Sequence, residues 1–299
     1  MRELFALIKR NVKLFFKDKG MFFTSLITPL ILLVLYSTFL GEVYRDAFTS
    51  SLPSDVEIPK KLINGIVGGQ LISSILAVSC VTVAFCSNFL MVQDKVNNSI
   101  KDLKMSPVSS STLSLGYYLA TFVSTFIICF VALILCLIYL AVIGWYLTIL
   151  DVLCLIFDII LLILFGTALS SIISYFLTSQ GQISAVGTIV SAGYGFICGA
   201  YMPISSFSSI LQKVMLFLPG TYGTSLFRNH SLNSALSKLN NYGVNSSTIE
   251  EIKSSIDCNL KFFGSNVNIL TMYIILGATT ALLIGIYILI NASKKSKKH

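Results

Sequence analysis

The chain has 299 residues, 55% of them hydrophobic and 11% charged, with a formal net charge of +8 and a mean hydropathy of +0.84. A soluble domain carries about 25% charged residues, and so few cannot cover the water-facing surface of a protein this size. The composition excludes a water-soluble globular protein and places the chain in a bilayer. The basic excess then speaks to orientation in the membrane, not to nucleic acid.

Residues 1–19 come first and are too charged to form the apolar core of a cleavable signal. Leu4, Ile8, Val12 and Phe15 recur at helical spacing, with Lys9, Lys13 and Lys17 roughly opposite. That pattern predicts an amphipathic helix lying in the membrane interface, its lysines towards anionic lipid headgroups. Gly20 is the expected turning point into the bilayer.

A spanning helix needs about 20 mostly apolar residues. Six stretches qualify: Met21–Leu40, Ile66–Val92, Leu113–Ile143, Leu147–Leu177, Ile183–Tyr201 and Val267–Ile290. An even number of spans puts both termini on one side. That side collects Arg2, Lys9, Arg10, Lys13, Lys17 and Lys19, then Lys95, Lys101 and Lys104, then Lys294, Lys295, Lys297 and Lys298, all in short segments. The positive-inside rule makes it cytoplasmic.

Residues 93–112 form the cytoplasmic loop between the second and third spans. Pro107 cannot continue a helix from before it, so a short helix is expected to end at Met105, and Ser109 to Thr112 are placed to cap the third span. Beyond the fifth span, Ile204, Phe207, Leu211, Val214 and Leu218 predict an interfacial helix stopped by Pro219-Gly220. Thr221 to Asn266 read as an outer loop, with Ser247-Thr248-Ile249-Glu250 spaced as a capping box. The fold expected is a single all-α membrane domain over 1–299, with 202–266 as its outer re-entrant helix and loop.

Catalytic motifs are missing from the sequence. It has no G-x-x-x-x-G-K-[ST] phosphate loop, no G-x-S-x-G and no H-E-x-x-H. Its two histidines are His230 and His299, and its seven cysteines show no metal-ligand spacing, so unpaired thiols and no metal site are expected. Asp158 is the exceptional charge inside a span, a candidate intramembrane acid or a hydrogen-bonding partner for a neighbouring helix. Thr82 in the second span and Ser184, Thr188 and Ser191 in the fifth, with Phe85, Phe89 and Tyr194 as aromatic walls, are read as a weakly polar path suited to an amphipathic substrate. The same small residues also let helices pack closely.

These features resemble the ABC-2 family of transporter permeases. The basic amphipathic start and the apolar span containing Pro29 are similar to the family's elbow helix and first span. Gln93-Asp94-Lys95, Ser99-Ile100-Lys101-Asp102-Leu103 and Ser106-Pro107-Val108-Ser109 resemble its coupling region, with Asn98 where glycine is usual. Leu115-Gly116, the stretch Gly199 to Pro203, and Pro219 to Arg228 match further positions of the pattern. The resemblance implies the membrane subunit of an exporter in the bacterial inner membrane, paired with a second, identical or related permease chain. Two copies of a separate ABC ATPase would supply ATP and Mg chemistry, leaving this chain without a cofactor. They would press on Ile100, Asp102, Leu103, Lys104, Met105 and Pro107. A drug, peptide or lipid-like cargo is expected. Three other readings compete: an ATP-independent transporter or channel using Asp158, a membrane-embedded enzyme, and a non-transporting sensor or immunity partner.

Overall fold

The computed structural model describes residues 2–50, 52, 57–106, 108–262 and 264–296. Almost all of them are helical. In chain order the helices are α1 (Arg2–Lys17), α2 (Lys19–Leu35), α3 (Gly41–Ser50), α4 (Lys60–Val96), α5 (Ser99–Met105), α6 (Ser110–Ile143), α7 (Ile149–Phe176), α8 (Gln180–Ile197), α9 (Ser209–Leu216), α10 (Pro219–Ser237), α11 (Ser246–Ser255) and α12 (Ile269–Ser296). One antiparallel hairpin, β1 (Leu260–Phe262) with β2 (Ser265–Val267), pairs Lys261 with Asn266 between α11 and α12.

The amphipathic start is a helix, and Lys9, Lys13 and Lys17 are exposed as expected. Its buried stripe is Leu7, Asn11 and Phe15, with Leu4, Ile8 and Val12 only half buried, because α1 lies against α6 as well as facing outward. The turn into α2 falls at Asp18 and not at Gly20. Asp18 is extended (ψ 96°) and its carboxylate accepts the Met21 N–H at 3.1 Å, an N-cap that starts a new helix bent by 73° from α1. α2 then runs through a wide π turn, Tyr36–Leu40, into α3 without leaving helical geometry. Gly41 permits that turn, since a Cβ there would lie 2.6 Å from the Tyr36 carbonyl oxygen.

α4 is the axis of the bundle. Residues Gly65 to Val92 are all buried, and α2, α6, α7, α8 and α10 pack around it. At 37 residues it is about 55 Å long, well beyond the ~30 Å apolar core of a bilayer. Gly166 lets α7 approach it closely, because a Cβ there would sit 3.1 Å from both the Cys80 carbonyl and the Val81 Cα. Gly166→Leu is therefore expected to wedge the two helices apart and cost about 1–3 kcal/mol, read as a lowered melting temperature of the detergent-purified protein.

Four helices among the described residues are long and apolar enough to cross a bilayer: α4, α6, α7 and the Ile269–Asn291 part of α12, with a fifth if α1 and α2 count as one bent span. The expected first and fifth spans fall on α2, which is 17 residues long, and on α8, which has 18 and carries Gln, Ser and Thr among its apolar residues. The expected α5 ends at Met105, and the Ser109 hydroxyl accepts the Thr112 N–H to cap α6. Two further caps were within reach of the sequence. Thr148 and Asp151 form a reciprocal capping box on α7, and Ser179 and Gln182 do the same on α8.

The segment expected to be an outer loop is ordered structure. Pro219 opens α10 at its first turn instead of ending the helix before it, and α9 has already stopped at Leu216. α10 is buried along most of its length against α4, α7 and α12. α11 begins at Ser246, behind Asn245, and the Ser247 capping box does not form. Leu232, Leu236, Leu239, Val244, Ile249, Ile252 and Cys258 close a second core with Leu62, Ile66 and Phe48. Cys258 is thus buried, and all seven cysteines are free thiols.

Candidate functional site: a groove along the bundle

A groove of about 1250 Å³ lies between α2–α3 and α8, floored by Cys86, Phe89 and Gln93 of α4. At one end lie Asp18, Gln93 and Gln180, and at the other Tyr201, Met202, Pro203 and Ser206. Between them the walls are Thr24, Ile27, Thr28, Ile31, Leu35 and Phe39 on one side and Ser184, Gly187, Thr188, Ser191, Ala192 and Phe196 on the other, over Cys86 and Phe89. Among the described residues that line it, Asp18 alone is formally charged, and it is engaged in capping α2. The hydroxyls of Ser184 and Thr188 donate back to the carbonyls of Gln180 and Ser184, so these two are already engaged.

Of the path residues expected from sequence, Phe89, Ser184, Thr188 and Ser191 line this groove. Thr82, Phe85 and Tyr194 do not. Thr82 is buried with its hydroxyl bonded to the Val78 carbonyl, Phe85 packs in the α4 core, and Tyr194 turns inward against Gly220. Helical spacing puts Tyr194 near Ser191, but α8 meets α10 at that level, and glycine at 220 leaves room for the phenol. The α2 wall was missed because Thr24, Thr28 and Phe39 carry no signal beyond that of a lipid-facing span.

At the α5 end, α1, α4 and α6 meet on Asp94. The Arg10 guanidinium donates to its carboxylate at 2.8 and 3.2 Å, and the Tyr117 hydroxyl donates to it as well. The next residue, Lys95, donates to the carbonyls of Ser174, Tyr175 and Leu177, placing a cation at the C-terminus of α7. Asn98 reverses the chain with φ +61°, a left-handed conformation that asparagine tolerates and that explains glycine as the alternative there. Ile100 and Leu103 turn inward, packing with Leu7, Met91, Leu113 and Tyr117. Asp102 faces outward and Met105 is 85% exposed. Pro107 and the Lys104 side chain lie outside the described residues.

Two buried polar networks bind the opposite end. Asp158 on α7 is bonded to His230 Nδ1 on α10 at 2.6 Å and accepts the Tyr273 hydroxyl of α12 at 2.6 Å. Asp158 is thus a hydrogen-bonding partner of neighbouring helices, and His230, expected in the outer loop, sits on α10 against it. α10 reads as a loop because it is rich in Asn, Ser, Thr and Gly, and only the fold brings its histidine against α7. No described residue of α7 lines the groove. In the second network Arg228, fully buried, donates to Asp257 at 2.7 Å and to the Gly199 carbonyl at 2.6 Å, while Asp257 also accepts the Ile204 N–H at 2.8 Å. Burial pushes the Asp257 carboxyl above its ordinary range, and the facing guanidinium pulls the other way. Neither partner was singled out as a pair from sequence, because they lie on separate elements with no shared motif.

A helical bundle around one buried axis, with an apolar groove along it and several helices long and apolar enough to cross a bilayer, is the architecture of a multi-pass membrane protein. The model of the ABC-2 type transporter family matches residues 2–230, and the chain belongs to that family. The match ends at His230 on α10, so α11, the hairpin and α12 lie beyond it. Among curated proteins none matches the chain.

Proposed function

We propose that the chain is the permease subunit of an ATP-driven exporter that moves an amphipathic cargo along the groove between α2 and α8. The supporting observation is the groove itself, which runs along α2 and α8, is mostly apolar, and among its described residues carries no charge past Asp18. An ion or a sugar chain would demand free polar ligands there; a drug, peptide or lipid-like molecule would not. In this reading α2 and α8 complete a set of six spans, both termini are cytoplasmic, and the membrane is the bacterial plasma membrane. The groove then faces a second permease chain.

Force would enter through α5. Ile100 and Leu103 fix that helix to α1, α4 and α6, while Asp102 and Met105 face outward for two copies of an ABC ATPase, which would bind ATP and Mg. The test separates these roles. Met105→Glu puts a charge on the exposed apolar tip of α5. It is expected to lower permease-stimulated ATP hydrolysis of the assembled transporter about tenfold, with the chain's own melting temperature unchanged. Leu103→Ala is expected to lower the melting temperature. Full stimulation with glutamate at 105 would remove α5 as the docking element.

A further inference from the structure

We infer that Arg228 and Asp257 are positioning residues for the groove, latching the lip that closes its far end. The lip is the turn after α8, residues 199–206, of which Tyr201, Met202, Pro203 and Ser206 line the groove. Nothing in the turn's own short helical piece, Ile204–Ser206, anchors it to the bundle by a side-chain cap. Its ties come from elsewhere. Arg228 on α10 holds the Gly199 carbonyl, Asp257 holds the Ile204 N–H, and the two are joined to each other. Tyr44 on α3 adds a tie through the Tyr201 carbonyl at 3.1 Å, and Ser74 on α4 adds another through the Ala200 carbonyl at 2.7 Å. Asp257 is itself set by α10, since Ser225 donates to its carbonyl and Asn229 to that of Cys258.

The latch therefore connects the wall of the groove to the turn that follows α11, a part of the chain beyond the family match. Asp257 takes φ +56°, a left-handed conformation that aspartate, like asparagine, tolerates, and its carboxylate serves both the lip and Arg228. The Arg228 Nε is buried without a partner, so the guanidinium sits where its two outer nitrogens reach the lip and Asp257 and not where all its donors are satisfied. Positioning of the lip accounts for that arrangement.

The inference rests on reading the groove as the cargo path, but its test needs neither cargo nor ATPase. Ser191 lies in the groove on the α8 wall near the lip. In Ser191→Cys protein held in lipid nanodiscs, labelling of position 191 by a charged maleimide is followed by mass spectrometry. The native Cys80 and Cys129, both fully buried, report general loosening. Asp257→Asn removes the charge of the latch. Arg228→Lys keeps the charge facing Asp257 but lacks the second arm of the guanidinium fork. Both are expected to speed labelling at 191 about tenfold while Cys80 and Cys129 stay unlabelled. If Asp257→Asn does not fold, Arg228→Lys carries the test alone. An unchanged rate at 191 in folded Arg228→Lys, or an equal rise at Cys80 and Cys129, overturns the latch and leaves the transport reading untouched.

Discussion

Arg228→Met is expected to be the most destabilising single substitution in the molecule, by about 3–5 kcal/mol, measured as the loss of melting temperature or of folded yield in detergent. The side chain is fully buried and joins α10, the turn after α8 and the turn after α11. Methionine fills much of the volume but leaves the Asp257 carboxylate with the Ile204 N–H alone and the Gly199 carbonyl without its side-chain donor. Breaking a buried ion pair from one side leaves the other charge uncompensated, and that residue of charge is the larger part of the penalty. Asp257 is already pushed up by burial and pulled down by Arg228, so losing the arginine raises it further. A carboxylate whose folded-state pKa lies above its unfolded value binds more protons when folded. The variant is therefore expected to regain stability as pH falls through the raised pKa, and to lose it as pH rises. Adding Asp257→Asn removes the stranded charge and is expected to recover part of the loss at neutral pH.

Asp158→Asn separates the two readings of an intramembrane acid. As a structural tie, Asp158 joins α7 to His230 on α10 and Tyr273 on α12, and asparagine weakens both hydrogen bonds by removing the charge that strengthens them. A stability loss of about 1–3 kcal/mol is expected, with ATP-driven transport retained by the fraction that folds. As a coupling-ion site, the same substitution would abolish transport and leave the melting temperature nearly unchanged. The groove is lined from α2, α3, α4 and α8 and not from the described residues of α7, which favours the first outcome.

The legible parts of this fold are those where a local pattern meets a local rule. Apolar length revealed α4, α6, α7 and α12, Pro107 set the end of α5 at Met105, and Ser109 announced the start of α6. The amphipathic face of α1 was readable as a helix, but its burial shifted to Leu7, Asn11 and Phe15 because α6 supplies a second surface that no periodicity describes. α10 was illegible for a physical reason. Its helix is held by burial of Arg228, Thr221 and Ser225 in hydrogen bonds to other elements, and residues of that kind read as loop until their partners are known. The groove was half legible. Ser184, Thr188 and Ser191 share a helical face and stood out, whereas Thr82 and Phe85 share a span with Phe89 but turn into the core of a helix that is buried on every side.

The measurement closest to the central claim places a photo-crosslinking amino acid at Met105, the exposed end of α5, and identifies what it captures in the native membrane. Capture of an ATP-binding subunit in an amount comparable to the chain itself is the result predicted for a permease driven through α5. Transport by the chain with no ATP-binding polypeptide captured, at a position 85% exposed, would contradict it.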